Sequence, residues 1–146
     1  MNRGIEPVFG TQSKQLSLIY GPELARAIIE AALSERTTGE TYYVSDPIVY
    51  PLTEALAIAA RILGRRTIKV RLPSPLLYTI AGLSELALSF SRAPSTLNVE
   101  KARDLLQTHW VCNSERFENH TGFRNRVSLE EGLKATISWY KEFGWL

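Results

Sequence analysis

Apolar positions along this chain switch between two-residue and helical spacing, and polar or glycine-bearing turns mark each switch. Residues 7–10 (PVFG) and 15–20 (QLSLIY) read as two short strands joined by the polar turn Thr11-Gln12-Ser13-Lys14. Gly21-Pro22 opens a helix, since proline lacks the N–H that the first turn leaves unpaired anyway. Leu24, Ile28 and Ala31 fall at helical spacing and predict its buried stripe; Thr37-Thr38-Gly39 ends it. Residues 41–45 (TYYVS) predict a strand closed by Asp46-Pro47. Thr53 is the expected cap of a second helix whose stripe is Leu56, Ala59, Ala60 and Leu63, with Gly64 as its stop.

In residues 67–72, Ile68, Val70 and Leu72 alternate with Lys69 and Arg71, the pattern of a half-buried strand. Ser74-Pro75 starts the longest apolar segment, residues 75–90, with Leu76, Leu77, Tyr78, Ile80 and Leu83. Asn98 caps a short helix carrying Val99, Ala102 and Leu106. A short extended piece, residues 109–112, precedes another small helix starting near Asn113, which Gly122 ends in a left-handed conformation. Ser128 and Glu131 have the spacing of a capping box. The last helix buries Leu133, Ile137 and Tyr140 and stops at Gly144. Short strands mixed with five to six helices predict an α+β fold.

Composition narrows the function classes. The 146 residues suit a single domain, residues 1–146, able to bury about 68–70% of its unfolded surface. A net charge of +2 is too small to argue for nucleic acid or an anionic membrane. Cys112 is the only cysteine, so no intrachain disulfide forms, which fits a reducing compartment. The apolar residues 75–90 fall short of the roughly 20 needed to cross a bilayer, and Gly82, Ser84, Glu85 and Ser89 interrupt them. The first residues lead into no apolar stretch of signal-peptide type, and a soluble cytoplasmic protein is the expectation.

Three blocks carry a family resemblance. They are PVFG with LSLIYGPELARAI, then GETYYVSDPIVYPLTEALAIAARILG, then RAPSTLNVEKARDLLQTHWVCNSERFENHTGF with VSLEEGLKATISWY. In order and spacing they resemble the C-terminal, substrate-binding part of the extended short-chain dehydrogenases/reductases, the NAD-dependent epimerases and dehydratases. The last block is similar to that family's closing helix, with a leucine, two acids and a glycine leading to Thr-x-x-Trp. The resemblance implies a substrate-binding domain whose N-terminal Rossmann half lies outside this chain. It implies NAD or NADP for the full-length enzyme, none bound by this chain alone, and a small-molecule substrate.

Departures from the family pattern refine this. Sugar-nucleotide epimerases of the family carry a phosphate-binding arginine where this chain has Leu16, and leucine cannot neutralise a diphosphate. The resemblance therefore leans toward the 3β-hydroxysteroid-dehydrogenase-like branch, with less charged substrates. Glu23 stands at the acidic helix start, where the macrodipole favours negative charge. Neither the dinucleotide fingerprint nor the catalytic Tyr-x-x-x-Lys pair is present. Gly4 and Gly10 are six apart, and Lys14, Lys69, Lys101, Lys134 and Lys141 follow Gly10, Arg65, Leu97, Glu130 and Ile137 at four residues' distance. Catalysis by this chain alone is not expected.

The residues expected to line the substrate are Val8, Phe9, Ser17, Tyr78 and Arg92. Arg92-Ala93-Pro94 resembles the Arg-x-Pro context in which family members hold phosphate; the alternative is a surface arginine at a helix C-terminus. Residues 75–90 either pack in the core or line a cleft against the missing half, and ligand sites often fall at domain interfaces. His109, Cys112 and His120 do not make a metal or thiol site if residues 109–112 are extended, because His109 and Cys112 then face opposite ways. Arg65, Arg66, Lys69 and Arg71 read as a solvated basic face, without interleaved aromatics to stack on bases. Trp139, Tyr140, Phe143 and Trp145 form an aromatic group suited to a core or an interface. Asn119-His120-Thr121 matches a glycosylation sequon by chance. The alternative reading is a stand-alone small-molecule or protein-binding module, and self-association through exposed apolar surface fits either.

Overall fold

The computed structural model describes residues 5–10, 12–89 and 98–146. Arg92 lies outside the described residues, as does the side chain of Phe9. The fold is α+β, as the alternating patterns predict. It consists of two compact units, one formed by the described part of residues 1–13 and 67–108, the other by residues 14–66 and 109–146.

In the first unit, β1 (Ile5–Phe9) pairs in parallel with β4 (Ile68–Leu72), and Gly10 N extends the ladder by donating to Leu72 O at 3.2 Å. The polar turn after β1 therefore does not close a hairpin: the next strand belongs to the other unit. Ile68 and Val70, expected to be half-buried, are 72% and 42% exposed. Helix α3 (Ser74–Ser89) packs Leu77 and Ala81 against Ala102 and Leu106 of α4 (Val99–Leu106). Asn98 caps α4 as expected, its Oδ1 accepting from Lys101 N at 2.8 Å. Leu76, Tyr78, Ile80 and Leu83 of α3 remain exposed, so only one narrow face of this apolar helix is packed. No helix among the described residues is long and apolar enough to cross a membrane.

The second unit holds a three-stranded sheet in the order β3 (Val49–Pro51), β2 (Gln15–Ser17), β5 (His109–Trp110), antiparallel on one side of β2 and parallel on the other. Around it stand α1 (Gly21–Leu33), α2 (Leu52–Ile62), α5 (Glu115–Thr121) and α6 (Leu129–Glu142). Ala27, Phe117 and Phe123 make its core, with Ala31, Tyr42 and Val44 packed around them.

Local signals hold well here. Gly122 ends α5 at φ 75°, and the Ser128–Glu131 capping box forms, Ser128 Oγ accepting from Glu131 N and the Glu131 carboxylate accepting from Ser128 N at 2.9 Å. Long-range expectations fare less well. The buried residues of α1 are Glu23 and Ala27, whereas Leu24 and Ile28 of the expected stripe are 39% and 61% exposed. Ala27 packs with Phe117 and Phe123, and Ala31 of the expected stripe packs beside them, so the covered face of α1 is the one that carries its small residues. Helix α2 starts one residue before Thr53, with Pro51 at the cap and no side-chain cap bond. Residues 41–45 form no strand.

Helix α6 approaches the end of the β2 segment so closely that a Cβ on Gly132 would lie 3.2 Å from three Tyr20 atoms. Gly132→Val is therefore expected to destabilise the protein by about 1–3 kcal/mol through overpacking. A lower urea midpoint than wild type, read by circular dichroism, checks this; an unchanged midpoint would show that Tyr20 moves aside freely.

Candidate functional site

The chain leaving β2 lines a hollow in the second unit. Residues 18–21 form one wall, the N-terminal half of α6 the other, and the cavity between them is about 190 Å³. Leu18, Ile19, Tyr20, Leu129 and Leu133 give it a mostly apolar lining, while Asp46 and Thr136 add polar atoms. Whole small-molecule sites usually measure about 300–1,000 Å³. This hollow suits part of a ligand or a side chain.

Asp46 organises the floor of the hollow. Its carboxylate accepts from Ile48 N at 2.9 Å, Tyr50 Oη at 3.2 Å and Asn125 Nδ2 at 3.3 Å, and its own N donates to Leu18 O at 2.7 Å. Burial pushes the Tyr50 phenol above its ordinary range, and the Asp46 charge adds to this. The Asp46 carboxylate thus joins the start of the 48–50 segment to Asn125. Among the described residues, no group of three His, Cys, Asp or Glu is placed to hold a metal ion.

A second carboxylate fixes the helix beside the hollow. Glu23, 6% exposed, receives both the Nε and Nη2 of Arg26, at 3.3 and 2.7 Å, and Arg126 N at 2.8 Å. Arg26 also donates to Arg124 O and lies 4.3 Å above the Phe123 ring. Glu23 thus ties the first turn of α1 to residues 123–126, which lead into α6. The Arg26 guanidinium and the Arg126 amide hold its carboxyl below the usual carboxylate range, against the opposing effect of burial.

The expected lining residues are distributed between the units. Val8 in β1 is half-buried opposite Arg71, and Tyr78 in α3 is exposed; both belong to the first unit. Ser17 belongs to the second, where its hydroxyl accepts from Cys112 N at 3.1 Å and contacts Cys112 O at 3.4 Å. It therefore links β2 to the segment after β5. Sequence reasoning missed Asp46, which it took as a strand terminator, and the Glu23–Arg26 clasp. The i, i+3 spacing of Glu23 and Arg26 was the signal available for the clasp.

Leu16 sits between Tyr50 and Trp110 in the sheet. Residues directly opposed across a sheet share a face, so the three form one apolar row. It runs from buried Tyr50 to Trp110, which is 52% exposed. At the far end of α6, Trp139 gathers Tyr140, Phe143 and Trp145 at centroid distances of 4.7–5.6 Å, the aromatic group the sequence suggests.

Replacing Glu23 by Gln is expected to cost about 1–3 kcal/mol near neutral pH. The depressed pKa makes the carboxylate's contribution full above the unfolded-state value and lost as pH falls through the folded one. The stability gap between wild type and Glu23→Gln should therefore narrow as pH falls through and below the usual carboxylate range. Denaturation midpoints of both proteins across that range test it; a gap independent of pH would show that the charge on Glu23 is not the stabilising feature.

No family model matches this chain. A ceramide reductase of Caulobacter vibrioides (strain NA1000 / CB15N) is 33% identical over 97 residues, which are 66% of this chain and 30% of that protein. An uncharacterized protein, y4nL, of Sinorhizobium fredii (strain NBRC 101917 / NGR234) is 22% identical over 142 residues, 95% of this chain and 40% of that one. The chain thus spans 30–40% of the length of the curated relatives it matches. Among solved structures, an epimerase of Methanothermobacter thermautotrophicus superposes with a TM-score of 0.70 at 15% identity, over 97% of this chain and 34% of that one. The UDP-glucose 4-epimerase of Thermotoga maritima, solved with UDP-glucose, gives 0.66 at 18% identity, over 97% of this chain and 36% of that one. The UDP-glucuronic acid 4-epimerase of Bacillus cereus, in complex with NAD, gives 0.63 at 13%, over 94% and 34%. The chain has the α+β fold of the C-terminal portion of epimerase and dehydratase structures.

Proposed function

We propose that this chain is the substrate-binding part of a larger NAD(P)-dependent enzyme of the epimerase, dehydratase or reductase type, acting on an apolar rather than a nucleotide-sugar substrate. The observation that carries the reading is one of coverage. Almost the whole chain follows the fold of structures solved with NAD or NADPH, yet it accounts for only 34–36% of each of those chains. The remainder of such a protein would supply the dinucleotide site, the proton donor and its lysine. Residues 1–146 form the substrate side, with Val8, Phe9, Ser17, Tyr78 and Arg92 retained as lining candidates.

Substrate polarity is read from the Tyr50–Leu16–Trp110 row. An apolar row cannot compensate the charge of a diphosphate, whose desolvation without a partner is costly. It suits an aliphatic or ring-rich substrate, as in the hydroxysteroid-dehydrogenase-like branch. The relative named as a ceramide reductase supports the same direction, since ceramide is an apolar lipid.

Two measurements test the proposal. Titration calorimetry is expected to detect no NAD(H) binding to this chain and tight, saturable binding to the longer polypeptide that contains it. Saturable binding by the chain alone would refute the assignment of the cofactor to the missing half. In the full-length enzyme, Leu16→Arg is expected to lower kcat/KM for an apolar substrate by at least about tenfold, because it places a charge where apolar contact is made. Unchanged kinetics would remove Leu16 from the substrate site.

A further inference from the structure

The aromatic group at the end of α6 does not form a core: Trp139 is 45% exposed and Trp145 69%. Its rings are nevertheless fixed, because each leans on others. Trp139 lies 4.7 Å from Phe143 and 5.6 Å from Trp145 between centroids, and Tyr140 stacks on Trp145 at 5.7 Å with the planes 9° apart. Contacts of this kind hold ring orientations without hiding the rings.

An open groove of about 450 Å³ runs beside them, in the size range of small-molecule sites. Ala135, Trp139 and Glu142 line it from one row of α6 at i, i+4, i+7 spacing, and Thr136 and Tyr140 from the next. Tyr20 completes the lining, and its ring approaches α6 closely where Gly132 has no side chain. Among the described residues no basic side chain lines the groove, and no ion pair takes the Glu142 carboxylate. The Thr136 hydroxyl is already donated to Gly132 O at 2.8 Å. What the groove offers is therefore aromatic surface from Tyr20, Trp139 and Tyr140 and one negative charge.

That combination selects for charge type. Aromatic faces carry the negative end of the ring quadrupole, and the carboxylate adds a full charge of the same sign. An anion is repelled, and a neutral apolar ligand gains nothing from Glu142. A primary ammonium is strongly hydrated and needs acceptors for three N–H groups, which ring faces supply poorly. A quaternary ammonium has no N–H to satisfy and spreads its charge over methyl groups that pack against rings.

We infer that this groove binds a trimethylammonium group, held against Trp139, Tyr140 and Tyr20 with Glu142 as its counter-charge. The site lies wholly within the second unit and requires nothing from a nucleotide-binding half, so it goes beyond the reading of the chain as a substrate side and does not depend on it.

Choline is the probe, titrated calorimetrically at low ionic strength into the native polypeptide that contains these residues. Saturable one-to-one binding with a dissociation constant of about 1 mM or tighter is expected. The neutral isostere of choline, with carbon in place of nitrogen, has the same shape and is expected to bind at least about tenfold more weakly. Trp139→Leu keeps an apolar side chain but removes the ring face, and should weaken choline binding at least about tenfold. Glu142→Gln should weaken it by about threefold or more, less so as salt is added. Glu142 is exposed on the helix surface, so this variant keeps the fold, and circular dichroism checks both. An isostere that binds as well as choline would reduce the site to an ordinary apolar groove and overturn the inference. So would the absence of saturable binding, or an affinity left unchanged by either folded variant.

Discussion

Glu23 places a carboxylate where water hardly reaches it, and the second unit is arranged to make that tolerable. Burying an unpaired carboxylate would cost several kcal/mol, roughly the whole net stability of a small domain. The Arg26 guanidinium and the Arg126 amide together satisfy it. Arg26 in turn rests on the Phe123 ring, so the ion pair and the aromatic core depend on the same contact. Through Glu23 the start of α1 is held against the segment leading into α6. The hollow between residues 18–21 and α6 keeps its shape because both of its walls are tied to that point. Asp46 repeats the arrangement at the floor, a carboxylate fixed by an amide, a phenol and a carboxamide.

Both carboxylates serve the fold, each accepting hydrogen bonds from main-chain and side-chain groups held around it. Beside them lie the apolar Tyr50–Leu16–Trp110 row and the exposed Leu24 and Ile28 of α1. Exposed apolar surface of this kind is where interaction sites are commonly found.

The parts of the fold legible in the sequence were those decided within a few residues. The caps at Asn98 and Ser128, the left-handed Gly122 and the short α5 depend on hydrogen bonds across one helical turn. Propensity and spacing reveal such bonds directly. The parts that were illegible depend on distant partners. Periodicity marked Leu24 and Ile28 as apolar and helical, but the side of α1 that is covered was decided by Phe117 and Phe123, some ninety residues away. Residues 41–45 alternate as a strand would, yet they form none, because a strand exists only when another chain segment pairs with it. At the site, Ser17, expected to line the substrate, accepts from Cys112 N across the fold, a bond no local pattern announces. Nothing in the sequence indicated that Asp46 would draw three donors, because Tyr50 and Asn125 reach it only through the fold.

The central claim, that these residues form the substrate side of a larger NAD(P)-dependent enzyme, is tested most directly by the intact mass of the native protein captured through this region from its own cells. A polypeptide longer by about 100–200 residues, the size of one further domain, is expected. A native mass accounted for by these 146 residues would contradict the claim and leave the chain as a binding module in its own right.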